Sequence, residues 1–144
     1  MQTELHKFTS GTVDLADYLP NLARSILRIE SGETATLVSE AQTVKVQFKI
    51  ASNLGLIVNE LMINAIKHGG VNRVNLTVRL LEPGMAQICV ADQGRGFSEA
   101  DLAGTRSRSG TKGMELVDAL AHSCKATVTR SNDNGAQVII RFPC

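Results

Sequence analysis

Three groups of residues have the types and spacing to do chemistry. Glu60, Asn64 and Lys67 lie four and three apart in a segment of helical periodicity. At about 100° per residue they fall within roughly 60° of one another, so one helix flank carries a carboxylate, an amide and an ammonium. An amide oxygen is a neutral hard ligand of the kind Mg2+ accepts beside phosphates and water. A carboxylate can orient or deprotonate a nucleophile, and an ammonium can neutralise phosphate oxygens. His68 extends the stripe, although a helix-terminal histidine also interacts favourably with the dipole. Together these groups describe a nucleotide site; spacing alone equally fits a solvated face with an i,i+4 polar pair.

The second group is Asp92-Gln93-Gly94-Arg95-Gly96-Phe97, directly after an alternating strand. Its acid stands at a sheet edge before two glycines, Gly94 and Gly96, that let a ligand approach the backbone. A carboxylate there can accept from an exocyclic amine such as adenine N6. The base would gain apolar contact with Phe97, Ile57 or Met114. A plain strand-ending turn reads the same way in isolation, and no βαβ unit surrounds the glycines to make a dinucleotide fold.

The third group, Gly110-Thr111-Lys112-Gly113-Met114, opens a helix whose first N–H groups and dipole favour anions. Arg95, Arg106, Arg108 and Lys112 outnumber Glu99 and Asp101 in the segment before and at this start, a charge of +2 that suits a triphosphate. A solvated basic loop has the same composition, and the Walker pattern GxxxxGK[ST] is absent.

These residues must be positioned by the elements between them. Apolar spacing predicts a helix from near Asp17 to about Arg28, with Asp14 as a possible cap and Pro20 in the first turn. Strands follow at 34–38 and 44–50, joined by a turn at 39–42. Ser52 is expected to cap a second helix whose apolar face runs from Leu54 to Ile66 before Gly69-Gly70. Residues 73–81 and 85–91 alternate as a hairpin about Pro83-Gly84, and 92–112 form a long loop. A helix over 114–121 leads to a hairpin over 126–130 and 137–142. The expected fold is an α/β (α+β) two-layer sandwich, a single mixed, mainly antiparallel sheet with three helices on one face.

Composition narrows the function. The 144 residues make one domain, with 15 Lys+Arg against 14 Asp+Glu and a net charge of +1, so no duplex-binding face is indicated. Aromatics are 3% with no Trp, too few rings for a base-stacking platform; nucleic acid is not an expected partner. No apolar run approaches the ~20 residues of a membrane span, so membrane insertion is not expected and the cytoplasm is the default address. Cys89, Cys124 and Cys144 form no CxxC and are read as free thiols.

In order along the chain, Asn59-Glu60-Leu61-Met62-Ile63-Asn64-Ala65-Ile66-Lys67-His68, Asp92 to Phe97, and Gly110-Thr111-Lys112-Gly113-Met114-Glu115-Leu116-Val117 resemble the N, G1 and G2 boxes of the GHKL ATPases. Within them the chain most resembles the catalytic ATP-binding domain of bacterial sensor histidine kinases, in the subclass whose N box reads NELxxNAxKH. Gly11 to Leu19 and the ending Gly135 to Pro143 also look like that subclass. The resemblance implies the Bergerat fold for residues 13–144, with 1–12 a lead-in or the remnant of an upstream region, and with ATP and Mg2+ as ligands.

Carried over residue by residue, the resemblance implies Asn64 as the Mg2+ ligand, Lys67 as a phosphate contact, His68 beside the nucleotide, and Asp92 as the adenine N6 acceptor. It makes Gly94 and Gly96 the close-approach positions, gives phosphate to Gly113 and the amides after it, and counts Phe97, Thr111, Lys112 and Met114 among the nucleotide-binding residues. Glu60 stands where ATP-hydrolysing relatives keep a general base, and orientation is the role expected of it here. Thr111 replaces the first glycine of the usual GxGxxLV box, with Gly110 one position early.

The implied partners are a phosphoacceptor His domain, on the same or a partner chain, and a response regulator downstream. The family's phosphoacceptor helix pair is not found in these residues, and His6, with five residues before it, does not supply one. Little turnover is therefore expected of this domain by itself. Two other readings share its features: an anti-sigma-factor-like serine kinase and binding module, and a degenerate, nucleotide-free phosphotransferase-type module.

Overall fold

Helix α1 (Leu15–Ser31) starts where the Asp14 carboxylate accepts a hydrogen bond from the Ala16 amide at 3.0 Å, satisfying one of the donors a helix start leaves unpaired. It ends at Gly32, whose φ of 62° is the left-handed conformation that glycine adopts freely. The computed structural model describes residues 11–32, 34–69, 72–94, 96–97 and 111–144, without the side chains of 68, 69 and 111–114. Contrary to the sequence expectation, α1 begins at Leu15 and holds Pro20 in its interior. The ring removes one backbone bond there. Pro20 is buried on the same face as Leu15, Leu19, Ala23 and Leu27, and this apolar burial offsets the loss.

Just before α1, strand β1 (Thr12–Asp14) pairs antiparallel with β3 (Lys45–Gln47) in a small sheet of two strands. The expected single sheet is thus corrected to two. The separation follows from local anchoring: Asp14 also accepts from the Val44 amide at 3.3 Å, and Leu15 donates to the Val44 carbonyl at 2.9 Å. Helix α2 (Phe48–Gly69) follows at once. Ser52, expected as its cap, lies inside the helix. The Phe48 amide donates instead to the Gly11 carbonyl at 2.8 Å, a tertiary bond that no local pattern reveals.

The main sheet contains β2 (Thr36–Ala41), β4 (Arg73–Glu82), β5 (Met85–Asp92), β6 (Thr127–Asn132) and β7 (Ala136–Pro143), in the order β2-β4-β5-β7-β6. Among the described strands only the β2–β4 pair is parallel. The turn expected at 39–42 is mostly strand, because Ser39, Glu40 and Ala41 pair with Leu76, Thr77 and Val78. Gln42 closes that edge: its amide donates to the Val78 carbonyl at 2.9 Å, and its side chain accepts from the Leu80 amide at 2.8 Å.

Helix α3 (Thr111–Ser123) starts one turn earlier than the apolar spacing gave. The three helices pack on the mixed, mostly antiparallel five-stranded sheet as an α/β two-layer sandwich. Alternation explains the layering. Val74, Leu76 and Val78 of β4, Ala86, Ile88 and Val90 of β5, and Val138, Ile140 and Phe142 of β7 are buried in one core with Leu54, Ile57, Val58 and Met62 of α2. The residues between them on each strand face the opposite side.

Candidate functional site

Sheet register brings the candidate residues to one end of the sandwich. Asp92, the last residue of β5, pairs with Val74 at the start of β4, which α2 enters from its C-terminal end. Ala91 pairs with Gln137 at the start of β7, and Ala136 pairs with Asn132 at the end of β6. Helix α3 leads through residues 124–126 into the far end of β6, and thirteen residues at about 1.5 Å each return its first turn toward the Asp92 end. An ion pair at 2.6 Å between Arg130 of β6 and Asp118 of α3 fixes helix against strand.

Asp92 is the buried polar residue of the described core, 7% exposed. Its Oδ1 accepts from the Gly94 amide at 2.8 Å and the Ala136 amide at 3.3 Å. Two backbone donors therefore orient the carboxylate through one oxygen. Among the described residues Oδ2 takes no hydrogen bond, which leaves an acceptor of fixed direction at the end of the strand. Ile57 is fully buried and Phe97 is partly buried against the core.

On α2, Glu60 and Asn64 are half-buried and Lys67 is exposed. The helix turns the expected stripe away from the core face of Leu54, Val58, Leu61 and Ala65. Thr111, Lys112, Gly113 and Met114 form the first turn of α3; their side chains, and that of His68, lie outside the described residues. The stretch from 98 to 110, with Arg106 and Arg108, and Arg95 also lie outside them. Among the described residues no three His, Cys, Asp or Glu side chains cluster as metal ligands. None of the described helices is long and apolar enough to cross a membrane.

Two contributors escaped the sequence reading. Gly135, in the turn between β6 and β7, has φ 138° and packs against the backbone of Asp92 and Gln93. Asn132 accepts from the Phe97 amide at 2.7 Å and donates to the Phe97 carbonyl at 3.0 Å. Both sit in what reads locally as an ordinary polar turn. Its only distinguishing signal was the resemblance of the ending Gly135 to Pro143. Gly96, expected as a point of ligand approach, has its Cβ space filled by Asn132 Oδ1 at 2.6 Å.

Burial pushes the Cys89 thiol above its ordinary pKa, partly opposed by a hydrogen bond from Gln137. Cys124 is likewise raised by burial, opposed by a hydrogen bond with Asn53.

Residues 49–144 match the family described as histidine kinase-, DNA gyrase B-, and HSP90-like ATPase. An uncharacterized sensor-like histidine kinase of Chloroflexus aurantiacus is 28% identical over 135 residues, covering 91% of this chain and 22% of that protein. The histidine kinase domain of the Erythrobacter litoralis EL346 blue-light activated histidine kinase superposes with a TM-score of 0.77 at 26% identity, covering 91% of this chain and 61% of that one. The ATP binding domain of PrrB from Mycobacterium tuberculosis gives 0.75 at 25% identity, covering 92% and 95%. The chain spans 22% to 31% of the length of the curated relatives it matches.

Proposed function

The chain belongs to the histidine kinase-, DNA gyrase B-, and HSP90-like ATPases as the ATP-binding catalytic domain of a sensor histidine kinase, and on that premise we propose that it positions Mg-ATP for transfer of the γ-phosphoryl group to a histidine. The acceptor belongs to a phosphoacceptor domain, on the same or a partner chain, with a response regulator downstream and the cytoplasm as the working compartment. In the transfer the bond between the γ-phosphorus and the β,γ-bridging oxygen breaks, an imidazole nitrogen gains the phosphoryl group, and ADP leaves. Such a step depends on positioning and charge stabilisation more than on covalent chemistry from the protein.

The observation that carries the reading is Asp92, a buried carboxylate held through Oδ1 by two amides, with Oδ2 left to accept from adenine N6. Its fit to adenine rests on that acceptor and on the partly buried side chain of Phe97. The α3 start supplies amides for phosphate oxygens, and Lys67 adds positive charge. A divalent cation would take the Asn64 amide oxygen together with phosphate oxygens and water. When bound, it neutralises charge on the phosphates. Glu60 orients groups along the same flank. Neither the serine-kinase module nor the nucleotide-free module is favoured beside relatives named as histidine kinases.

Calorimetric titration of Mg-ATP or a non-hydrolysable analogue tests the site. Micromolar to submillimolar binding is expected, lost in Asp92→Ala and stripped of its Mg2+ dependence in Asn64→Ala. Absence of binding at millimolar nucleotide sinks the reading.

A further inference from the structure

The segment that leaves β5 is tied to one turn at two points, Asp92 and Phe97. At the first, the Ala136 amide donates to Asp92 Oδ1. At the second, Asn132 brackets Phe97: its Oδ1 accepts the Phe97 amide at 2.7 Å and its Nδ2 donates to the Phe97 carbonyl at 3.0 Å. The primary amide of Asn132 thus satisfies both backbone groups of one residue, as a neighbouring strand would. The same residue pairs with Ala136 in the β6–β7 ladder, and Asp133 closes the turn by donating to the Gly135 carbonyl at 2.8 Å. Gly96 completes the fit. Its φ of 80° and missing Cβ admit Asn132, since a Cβ there would lie 2.6 Å from Oδ1 and 3.0 Å from Cγ.

We propose that Asn132 is a positioning residue for base selection, holding Gly96 and Phe97 so that Phe97 and the Asp92 carboxylate present one fixed edge to the purine. This rests on the nucleotide reading of the Asp92 site. Asn132 touches no nucleotide in this scheme; it acts through the backbone of Phe97. An exposed side chain on a polar turn would otherwise be free to change without effect. Two hydrogen bonds to one backbone residue, and a glycine whose missing Cβ leaves room for the amide, separate it from such a residue.

The test compares the affinities of the full chain for Mg-ATP and Mg-GTP with those of Asn132→Ala, Gly96→Ala and the neighbouring control Asp133→Ala, with thermal unfolding measured for each. Loss of two hydrogen bonds is expected to weaken ATP binding roughly tenfold in Asn132→Ala. The ATP-over-GTP preference should fall with it, because the edge that reads N6 is no longer fixed. Gly96→Ala sets a Cβ against the same amide and also strains the backbone at a φ of 80°, so it should lose at least as much as Asn132→Ala. Asp133→Ala should match the parent. Unchanged ATP affinity and preference in a folded Asn132→Ala overturns the proposal while the nucleotide site stands. Equal weakening for both nucleotides also overturns it, since that is the mark of a general structural role. A parent chain that binds neither nucleotide removes the site reading itself.

Discussion

The backbone of Gly135 lies against the carbonyl oxygen of Asp92 so closely that a Cβ on the glycine would collide with it, and would stand 2.7 Å from Gln93 Cα. The turn between the last two strands is therefore in direct contact with the main chain of the carboxylate proposed to read the base.

Gly135→Ala should be among the most damaging single-methyl changes in the protein. It adds a collision with backbone at a φ of 138°, which L residues rarely adopt. A loss of about 2 kcal/mol or more is expected in chemical denaturation, with weakened ATP binding because Asp92 shifts. Unchanged stability and affinity would show that the turn can move aside freely.

Asp92→Asn should separate recognition from folding. The Asn side chain can keep an oxygen at the Oδ1 position for the Gly94 and Ala136 amides, placing an NH2 group where Oδ2 was. Two donors then face each other at adenine N6. ATP affinity should fall by about 10- to 100-fold, while the unfolding midpoint moves little. Retained ATP affinity would mean that Oδ2 does not meet the base.

Asp14→Ala should have the opposite profile. Its carboxylate caps α1 and also accepts from Val44, so its removal should cost about 1 to 2 kcal/mol of stability. Nucleotide affinity in the folded variant should stay near the parent value, because these contacts join the start of α1 to Val44, just before β3, and touch none of the proposed binding residues. A large affinity loss would count against that separation.

Thiol labelling should rank the cysteines. Burial raises the thiol pKa of Cys89 and Cys124, so at a given alkaline pH each has less thiolate than an ordinary cysteine, whereas Cys144 is exposed. Cys144 should react first, followed by Cys89, with buried Cys124 slowest. Linkage gives the matching sign. The unfolded chain releases these protons at lower pH than the folded one, so their contribution is complete below the ordinary thiol value and is lost as pH rises through and above it. Mass spectrometry of alkylated protein across pH, and unfolding curves at alkaline pH, check both statements.

The sequence made the β4–β5 and β6–β7 hairpins legible because one sheet face is buried and the other is not. The alternation at Val74, Leu76 and Val78 and at Ala86, Ile88 and Val90 records that difference directly. The α2 polar stripe was legible for the same reason, as the complement of a clear apolar face. What stayed hidden depends on distant partners. The start of α2 is set by Gly11, the continuation of β2 by its parallel pairing with β4, and the interior Pro20 by burial in the core. At the site, Asp92 announced itself as an acid after a strand before glycines. Asn132 and Gly135 could not, because their importance arises from contact with residues about 40 positions earlier.

The pairing of β1 with β3 has a mechanical consequence. Three register pairs and the bond from Phe48 to Gly11 join the segment from Gly11 to Asp14 to the start of α2. Gly11 and Phe48 stand at the same end of this antiparallel ribbon, so a displacement of Gly11 is passed directly to the helix bearing Glu60, Asn64 and Lys67. The ribbon and the polar flank are thus coupled through one helix.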